Sequence, residues 1–283
     1  MNTFSDSFCA DLHCHSTVSD GVFTPDDLAK RAKASGVTLW SLTDHDELSG
    51  QELARETARE IGLHYLTGVE ISVTWAKQTV HIVGLGINPD DVSILEGLRQ
   101  TRAGRAERAK RIGERLAALG MPGAFEGALP FAGNPELISR THFARFLVQA
   151  GYFPEVQAVF DRLLKDDGPA HEPMQWASLE SALRWIHGAG GVSVIAHPGR
   201  YKYTPTQFGA LFDTFKDLGG SAIEVVTGSH SVPQFKEYAQ VARHYGFQAS
   251  CGSDFHSPNE SRVQLGSLPA LPSDLTPVWQ DLV

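Results

Sequence analysis

Short apolar segments alternate with helical ones along most of this chain, and the apolar segments keep ending in histidines or carboxylates. ADLHCH (10–15) reads as a strand, with Ala10, Leu12 and Cys14 on one side and Asp11, His13 and His15 on the other. Thr24-Pro25 opens a helix with Thr24 as N-cap, and Gly36 stops it. VTLWSL (37–42) reads as a buried strand followed by TDHDE, and a helix covers roughly 49–61 up to Gly62. HYLTGVEISVTW and TVHIVGLGI are rich in β-branched residues and flank the turn AKQ, so they read as a hairpin. After DDGPAHEP (166–173) the alternation resumes with strands VSVIA (192–196) and AIEVV (222–226) and a short strand ending at Cys251. Helices fall near 178–188, 205–218 and 232–245.

Right-handed crossovers between such strands predict a parallel sheet, open or closed into a barrel, with chemistry at the C-terminal strand ends. One stretch interrupts the pattern. Residues 91–165 are helical without a convincing strand and contain a Gly/Pro-rich connector at 120–139. The expected organisation is therefore a strand–helix unit made of 1–90 and 166–283, with 91–165 as an insertion forming a lid or side wall.

Composition excludes several classes. No apolar run approaches the ~18 residues of a membrane span, and MNTFSDSF lacks the basic start and apolar core of a leader peptide. Three cysteines, Cys9, Cys14 and Cys251, argue against a disulfide framework and fit a reducing cytoplasm. A net charge of -9 gives no general attraction for nucleic acid, so no stable DNA complex is expected. An anionic substrate needs a local positive site.

The strand ends supply candidates for it. His13 and His15 close the first strand, two apart on an extended chain, so both rings can bind one metal. An ordinary polar strand end would look the same. Asp20 follows the turn STVSDG, and Asp44 and His45 follow the second strand. Glu70 sits between Val69 and Ile71, where a carboxylate is costly unless paired or metal-bound. His81 lies in the hairpin, His197 precedes Pro198-Gly199, and Asp254 and His256 repeat the two-residue spacing. Alternation turns Cys14 into the core as a small hydrophobe, and Asp11 is a candidate to orient a histidine.

DLHCHSTVSDG, SLTDHDELSG, GVEIS, IAHPGR and CGSDFH together resemble the polymerase-and-histidinol-phosphatase (PHP) family of metal-dependent phosphoesterases, over about 9–85 and 171–257. The resemblance implies a distorted (β/α)7 barrel, here with a helical insertion, that binds two or three divalent metals. It implies the ligands His13, His15, Asp20, His45, Glu70, His81, His197, Asp254 and His256. It also implies their sharing: His13, His15, Glu70 and Asp254 on one ion, Glu70, His81 and His197 on a second, and Asp20, His45 and His256 on a third. His/carboxylate sets suit Mn, Zn or Fe better than Mg or Ca, with Mn favoured. Divalent ions outweigh the three carboxylates and leave a positive centre suited to a phosphate dianion.

Within the family, the insertion with SRTHFARFLVQAGY and the stretch from HPGRYKY to CGSDFH look closest to the 3′,5′-nucleoside bisphosphate phosphatases and related 5′-to-3′ exoribonucleases. That implies release of the 3′-phosphate of adenosine 3′,5′-bisphosphate by a metal-bridging hydroxide held through His13, His15, Glu70 and Asp254. Trimming of short 5′-phosphorylated RNA, or histidinol-phosphate hydrolysis, are the alternatives. A non-catalytic metal module of the kind attached to some DNA polymerases fits less well, because every ligand position is filled.

Substrate contacts are expected on the insertion and beside the metals. Ser139 can cap a helix whose first turn carries Arg140 and His142, a phosphate-binding arrangement with Arg145 one turn on. Arg200, Tyr201 and Lys202 follow His197 directly; Arg200 is a candidate for a second phosphate or the ribose, and Tyr201 for stacking on a base. His230, in TGSH, is a candidate to bind substrate or assist the leaving group. Arg99, Arg102, Arg105, Arg108 and Arg111 recur every three residues, but each step falls about 60° short of a turn, so a solvated helix is the better reading.

Overall fold

A computed structural model describes residues 8–282. All of MNTFSDSF but its last residue lies outside the described residues. The strands are β1 (Ala10–Asp11), β2 (Leu39–Leu42), β3 (His64–Trp75), β4 (Gln78–Leu85), β5 (Val192–Ile195), β6 (Ala222–Thr227) and β7 (Gln248–Gly252). They form one seven-stranded sheet in sequential order. Its edges nearly meet: Leu12 N–H donates to Cys251 C=O at 3.0 Å, and His15 N–H to Phe255 C=O at 2.9 Å. Gly252 makes this closure fit, since a Cβ there would stand 2.2 Å from that of His13.

The expected hairpin sets one strand against the otherwise parallel sheet. β4 runs antiparallel to both β3 and β5, while the other neighbours are parallel. The cause is a two-residue turn, Ala76-Lys77, with φ of 44° and 66°, the left-handed pair that a tight hairpin requires. This reversal carries the start of β4, with His81, back to the rim where the parallel strands end.

Helices α1 (Pro25–Ala34) and α2 (Gln51–Glu60) cover the first strands. Between β4 and β5 come α3 (Val92–Arg102), α4 (Arg105–Ala118), α5 (Ala124–Ala128), α6 (Arg140–Gln149) and α7 (Val156–Val159). α8 (Leu179–Gly188), α9 (Pro205–Asp217) and α10 (Val232–Tyr245) complete the crossovers. The edge of the insertion differs from the one expected at residue 91. Ile94 and Leu98 of α3 pack into the barrel's core, whereas a separate apolar cluster runs from Ala109 to Ala170. α3 thus packs as a barrel helix, and α4 to α7 build a core of their own.

Candidate metal centre

Glu70 is fully buried in β3, and its carboxylate faces five imidazoles. Oε1 lies 2.9 Å from His81 Nδ1, 2.9 Å from His197 Nε2 and 3.3 Å from His13 Nε2. Oε2 lies 2.8 Å from His45 Nδ1 and 3.3 Å from His15 Nε2. Asp254 Oδ1 stands 3.3 Å from His15 Nε2 and 3.7 Å from His13 Nε2. Asp20 Oδ1 is 3.3 Å from His256 Nε2 and 3.9 Å from His45 Nε2. All the ligand candidates named from sequence therefore meet at one rim.

The distances accommodate the expected sharing, since His81 Nδ1 and His197 Nε2 stand 3.4 Å apart beside Glu70 Oε1, and they also allow overlapping groups. Ligand atoms within 4.8 Å of one another form the sets His15–Asp20–His45–His256, His13–His15–Asp254, His13–Glu70–His197 and His45–Glu70–His81. His15 also reaches the Asp20 set, and His45 and His81 meet at Glu70.

The donor set fits divalent metals. His13 Nε2, His15 Nε2, Asp20 Oδ1, His45 Nδ1, Glu70 Oε2 and His197 Nδ1 are all buried without a hydrogen-bond partner. Orphaned buried polar atoms are costly, and a cation amid nitrogen and oxygen donors satisfies them. Burial alone would raise the carboxyls of Asp20, Glu70 and Asp254; the surrounding histidines outweigh it and hold all three well below the usual range. Burial, helped by like-charged neighbours, pushes His15 and His197 down to about 3, so both are neutral and ready as ligands. Asp20 raises His256 to about 9 against the effect of burial, and Glu70 with Glu224 likewise raises His13. His197 and Asp254 adopt φ of 28° and 54°, a strained backbone of the kind that functional sites retain.

Sequence reasoning missed Glu224. Its Oε1 takes the His13 Nδ1 proton at 2.8 Å and its Oε2 accepts the His197 backbone N–H at 2.6 Å. With Nδ1 engaged there, Nε2 is the nitrogen that faces Glu70 and that a cation would take once its proton has left. The signal was present: an acid inside the apolar strand AIEVV, as in GVEIS.

Asp11 is corrected. It accepts the Ser253 N–H at 2.8 Å and so sets the chain before Asp254, and it orients no histidine. Asp44 accepts from Ser16 N–H (2.8 Å), Ser16 Oγ (2.7 Å) and Ser19 Oγ, shaping the loop after β1. Cys14 is fully buried in the core, as expected, with Trp40 Nε1 donating to its sulfur.

Several proposed substrate contacts turn out to be braces. His230 accepts the Gly199 N–H at Nε2 (3.0 Å) and meets Val225 C=O through Nδ1 (3.2 Å), so neither nitrogen is left for a leaving group. The Tyr201 hydroxyl binds His81 N–H (2.9 Å) and Ala196 C=O (2.8 Å), and its ring stands edge-on to His197, which supports two ligands in place of a base. His142 is fully buried; its Nδ1 accepts the Ser139 N–H at 3.0 Å as part of a capping box, behind the helix end. Arg140 is part-exposed and binds Leu164 C=O and Asp166, both at 2.9 Å. Arg200 is half-exposed and pairs with Asp254 Oδ2 at 2.9 Å. Lys202 is exposed. The arginine series is not simply solvated: Arg105 and Arg108 are buried, and both lie over the Trp176 ring.

The family model described as PHP domain matches residues 11–165. This chain belongs to the PHP family. Among relatives, a 3′,5′-nucleoside bisphosphate phosphatase of Chromobacterium violaceum is 46% identical, over 96% of this chain and 95% of its own length. A 5′-3′ exoribonuclease of Haemophilus influenzae is 38% identical, over 95% of this chain and 97% of its own. A solved C. violaceum structure, described as an amidohydrolase with bound sulfate and no metal, matches with a TM-score of 0.93 at 46% identity, covering 96% of this chain and 95% of that one. A putative metal-dependent phosphoesterase of Bifidobacterium adolescentis matches at 0.80 and 29% identity, covering 95% and 92%. The PHP fold and a metal-dependent hydrolase chemistry follow from family and geometry together.

Proposed function

We propose that this PHP enzyme hydrolyses the 3′-phosphate of nucleoside 3′,5′-bisphosphates, converting adenosine 3′,5′-bisphosphate to AMP and phosphate. The observation that carries this is the full-length match, 46% over 96% of the chain, to a phosphatase of that name. His13, His15, Asp20, His45, Glu70, His81, His197, Asp254 and His256 would hold two or three divalent ions, with Mn favoured over Zn or Fe. Bound ions supply a water of near-neutral pKa and a Lewis acid for the phosphoryl oxygens.

The chain's own residues do the rest. Glu224 fixes His13, and Tyr201 fixes the backbone on either side of the rim at His81 and Ala196. Arg200 keeps N–H groups in reserve beyond its bond to Asp254, enough to take a phosphate oxygen at the rim. Arg140, next to Ser139 at the start of α6, is the proposed grip for the 5′-phosphate, which would compete with Asp166 for the guanidinium. Water adds across the 3′-oxygen–phosphorus bond, and the ribose oxygen leaves with a proton. The cysteines are free among the described residues, in keeping with the cytoplasm we propose for this enzyme.

A second reading, a 5′-3′ exoribonuclease on short 5′-phosphorylated RNA, is favoured by the full-length exoribonuclease relatives at 38–39% identity. Product analysis with metal-loaded protein separates them. Phosphate and 5′-AMP from the bisphosphate are expected; 3′-AMP, or no phosphate release, would overturn the phosphatase reading.

A further inference from the structure

Three of the four side chains in the His15–Asp20–His45–His256 set are held from the helical segment between β4 and β5. Asp20 is held directly. Its Oδ1 faces the histidines, while its Oδ2 accepts from Ser139 Oγ at 3.2 Å and Thr141 Oγ1 at 3.1 Å, at the start of α6. His45 is held through the next residue. The Asp46 C=O accepts from Arg102 Nη1 at 2.6 Å, and the Asp46 carboxylate pairs with buried Arg105. His256 is held through the loop that follows it. Arg145 makes a two-pronged pair with Glu260, at 2.8 and 2.6 Å. That loop is tied by Ser257 and Ser261, whose Oγ atoms accept from Glu260 N–H (3.1 Å) and His256 N–H (2.8 Å).

The His45–Glu70–His81 set shares the support at His45, and the two sets that contain His13 rest on the barrel. His13 and His197 rest on Glu224 of β6. Asp254 is tied by its own N–H to His13 C=O at 2.8 Å.

We infer that the helical segment completes the metal site of Asp20 and leaves the sets that contain His13 to the barrel. Ser139, Thr141, Arg102, Arg105 and Arg145 are positioning residues for a divalent cation at His15, Asp20, His45 and His256. This rests on the metal-centre reading above. The physical reason is pre-organisation. A carboxylate with one oxygen already hydrogen-bonded presents the other in a fixed direction, and partners behind metal ligands are worth about 10–100-fold in affinity. Coupling is reciprocal: if a docked α6 tightens the ion, the ion must tighten the docking of α6 by the same factor.

Thr141→Val is the sharpest test, because it removes one hydroxyl donor, keeps the volume and leaves the Ser139 cap intact. Mn2+ binding to the full chain would be followed by calorimetry and by metal content after dialysis. The expected result is loss of one ion class by about 10–100-fold, with the remaining ions bound as in the parent and Thr141→Ser restoring the lost class. Arg145→Gln should weaken the same class, whereas Glu224→Gln should weaken a different one. Hydrogen exchange supplies a second readout: Mn2+ should slow exchange of the α6 amides in the parent and not in Thr141→Val. Equal weakening of all ions by Thr141→Val, or unchanged binding in both Thr141→Val and Arg145→Gln, would overturn the inference. A parent chain that binds no divalent ion would overturn the metal centre itself, and with it this assignment.

Discussion

The two sides of the metal centre are supported by different kinds of structure. On one side a single barrel carboxylate, Glu224, holds His13 and His197 through bonds of 2.8 and 2.6 Å. On the other, side chains from α3, α4 and α6 reach Asp20 and the loops that carry His45 and His256. The barrel side is held within the barrel itself, by a carboxylate of β6. The insertion side depends on how a second apolar core, from Ala109 to Ala170, docks on the rim. A barrel can thus keep part of its metal chemistry constant while an inserted segment adjusts the rest.

Glu70 belongs to both sides, so its loss should have the largest effect. Glu70→Ala should remove phosphatase activity by more than the ~10²-fold expected of a supporting residue, together with metal content. Activity retained after this change would break the picture of one shared centre. Next comes Glu224→Gln. It should lower activity and metal affinity about 10–100-fold while leaving α6 protected from hydrogen exchange, which would sharpen the division between the sides.

Carboxylates raise His13 on the barrel side and both His45 and His256, the latter to about 9, on the insertion side, against the effect of burial. A ligand must shed its proton to bind. Metal loading near neutral pH should therefore release protons, visible as buffer-dependent heats, and affinity should fall as pH drops. Heats independent of buffer would contradict the assignment.

A smaller effect concerns stability. Burial lowers both His230, on the barrel, and His142, in the insertion, to about 4. Between about 6.5 and 4 the unfolded chain binds a proton that the folded chain refuses, so stability falls as pH falls through that window. Each group contributes about 1.4 kcal/mol per pH unit there. His230→Gln should flatten part of this slope in urea titrations, and an unchanged slope would contradict the bracing role. The smallest expected effect is at Arg99, exposed and, among the described residues, paired with Glu96 alone. Arg99→Ala should change neither metal binding nor turnover.

What was legible in the sequence follows the same division. Every ligand candidate but Asp20, which follows a turn, stood at a strand end or in the hairpin, where period-two alternation and the β/α pattern point side chains to one rim. His81 was placed correctly although β4 reverses, because the tight turn returns it to that rim. The supporting residues were harder. Glu224 stands out locally as an acid in an apolar strand, but its partners are 211 and 27 positions away and nothing local names them. Arg105 sits on a helix whose winding predicts solvent exposure, yet packing over Trp176 and pairing with Asp46 bury it. His142 and Tyr201 carry chemistry-bearing groups at the expected places, but their polar atoms meet backbone. Local pattern could name the groups and could not count their bonds.

The proposed reaction removes a 3′-phosphate from a nucleotide that carries a second one. The most direct measurement offers metal-loaded protein adenosine 3′,5′-bisphosphate and a 5′-phosphorylated oligoribonucleotide in one reaction and follows both kcat/KM values. The account predicts phosphate and AMP from the bisphosphate at the higher kcat/KM, abolished by chelation. Cleavage of the oligonucleotide alone, or phosphate release that chelation leaves untouched, would contradict it.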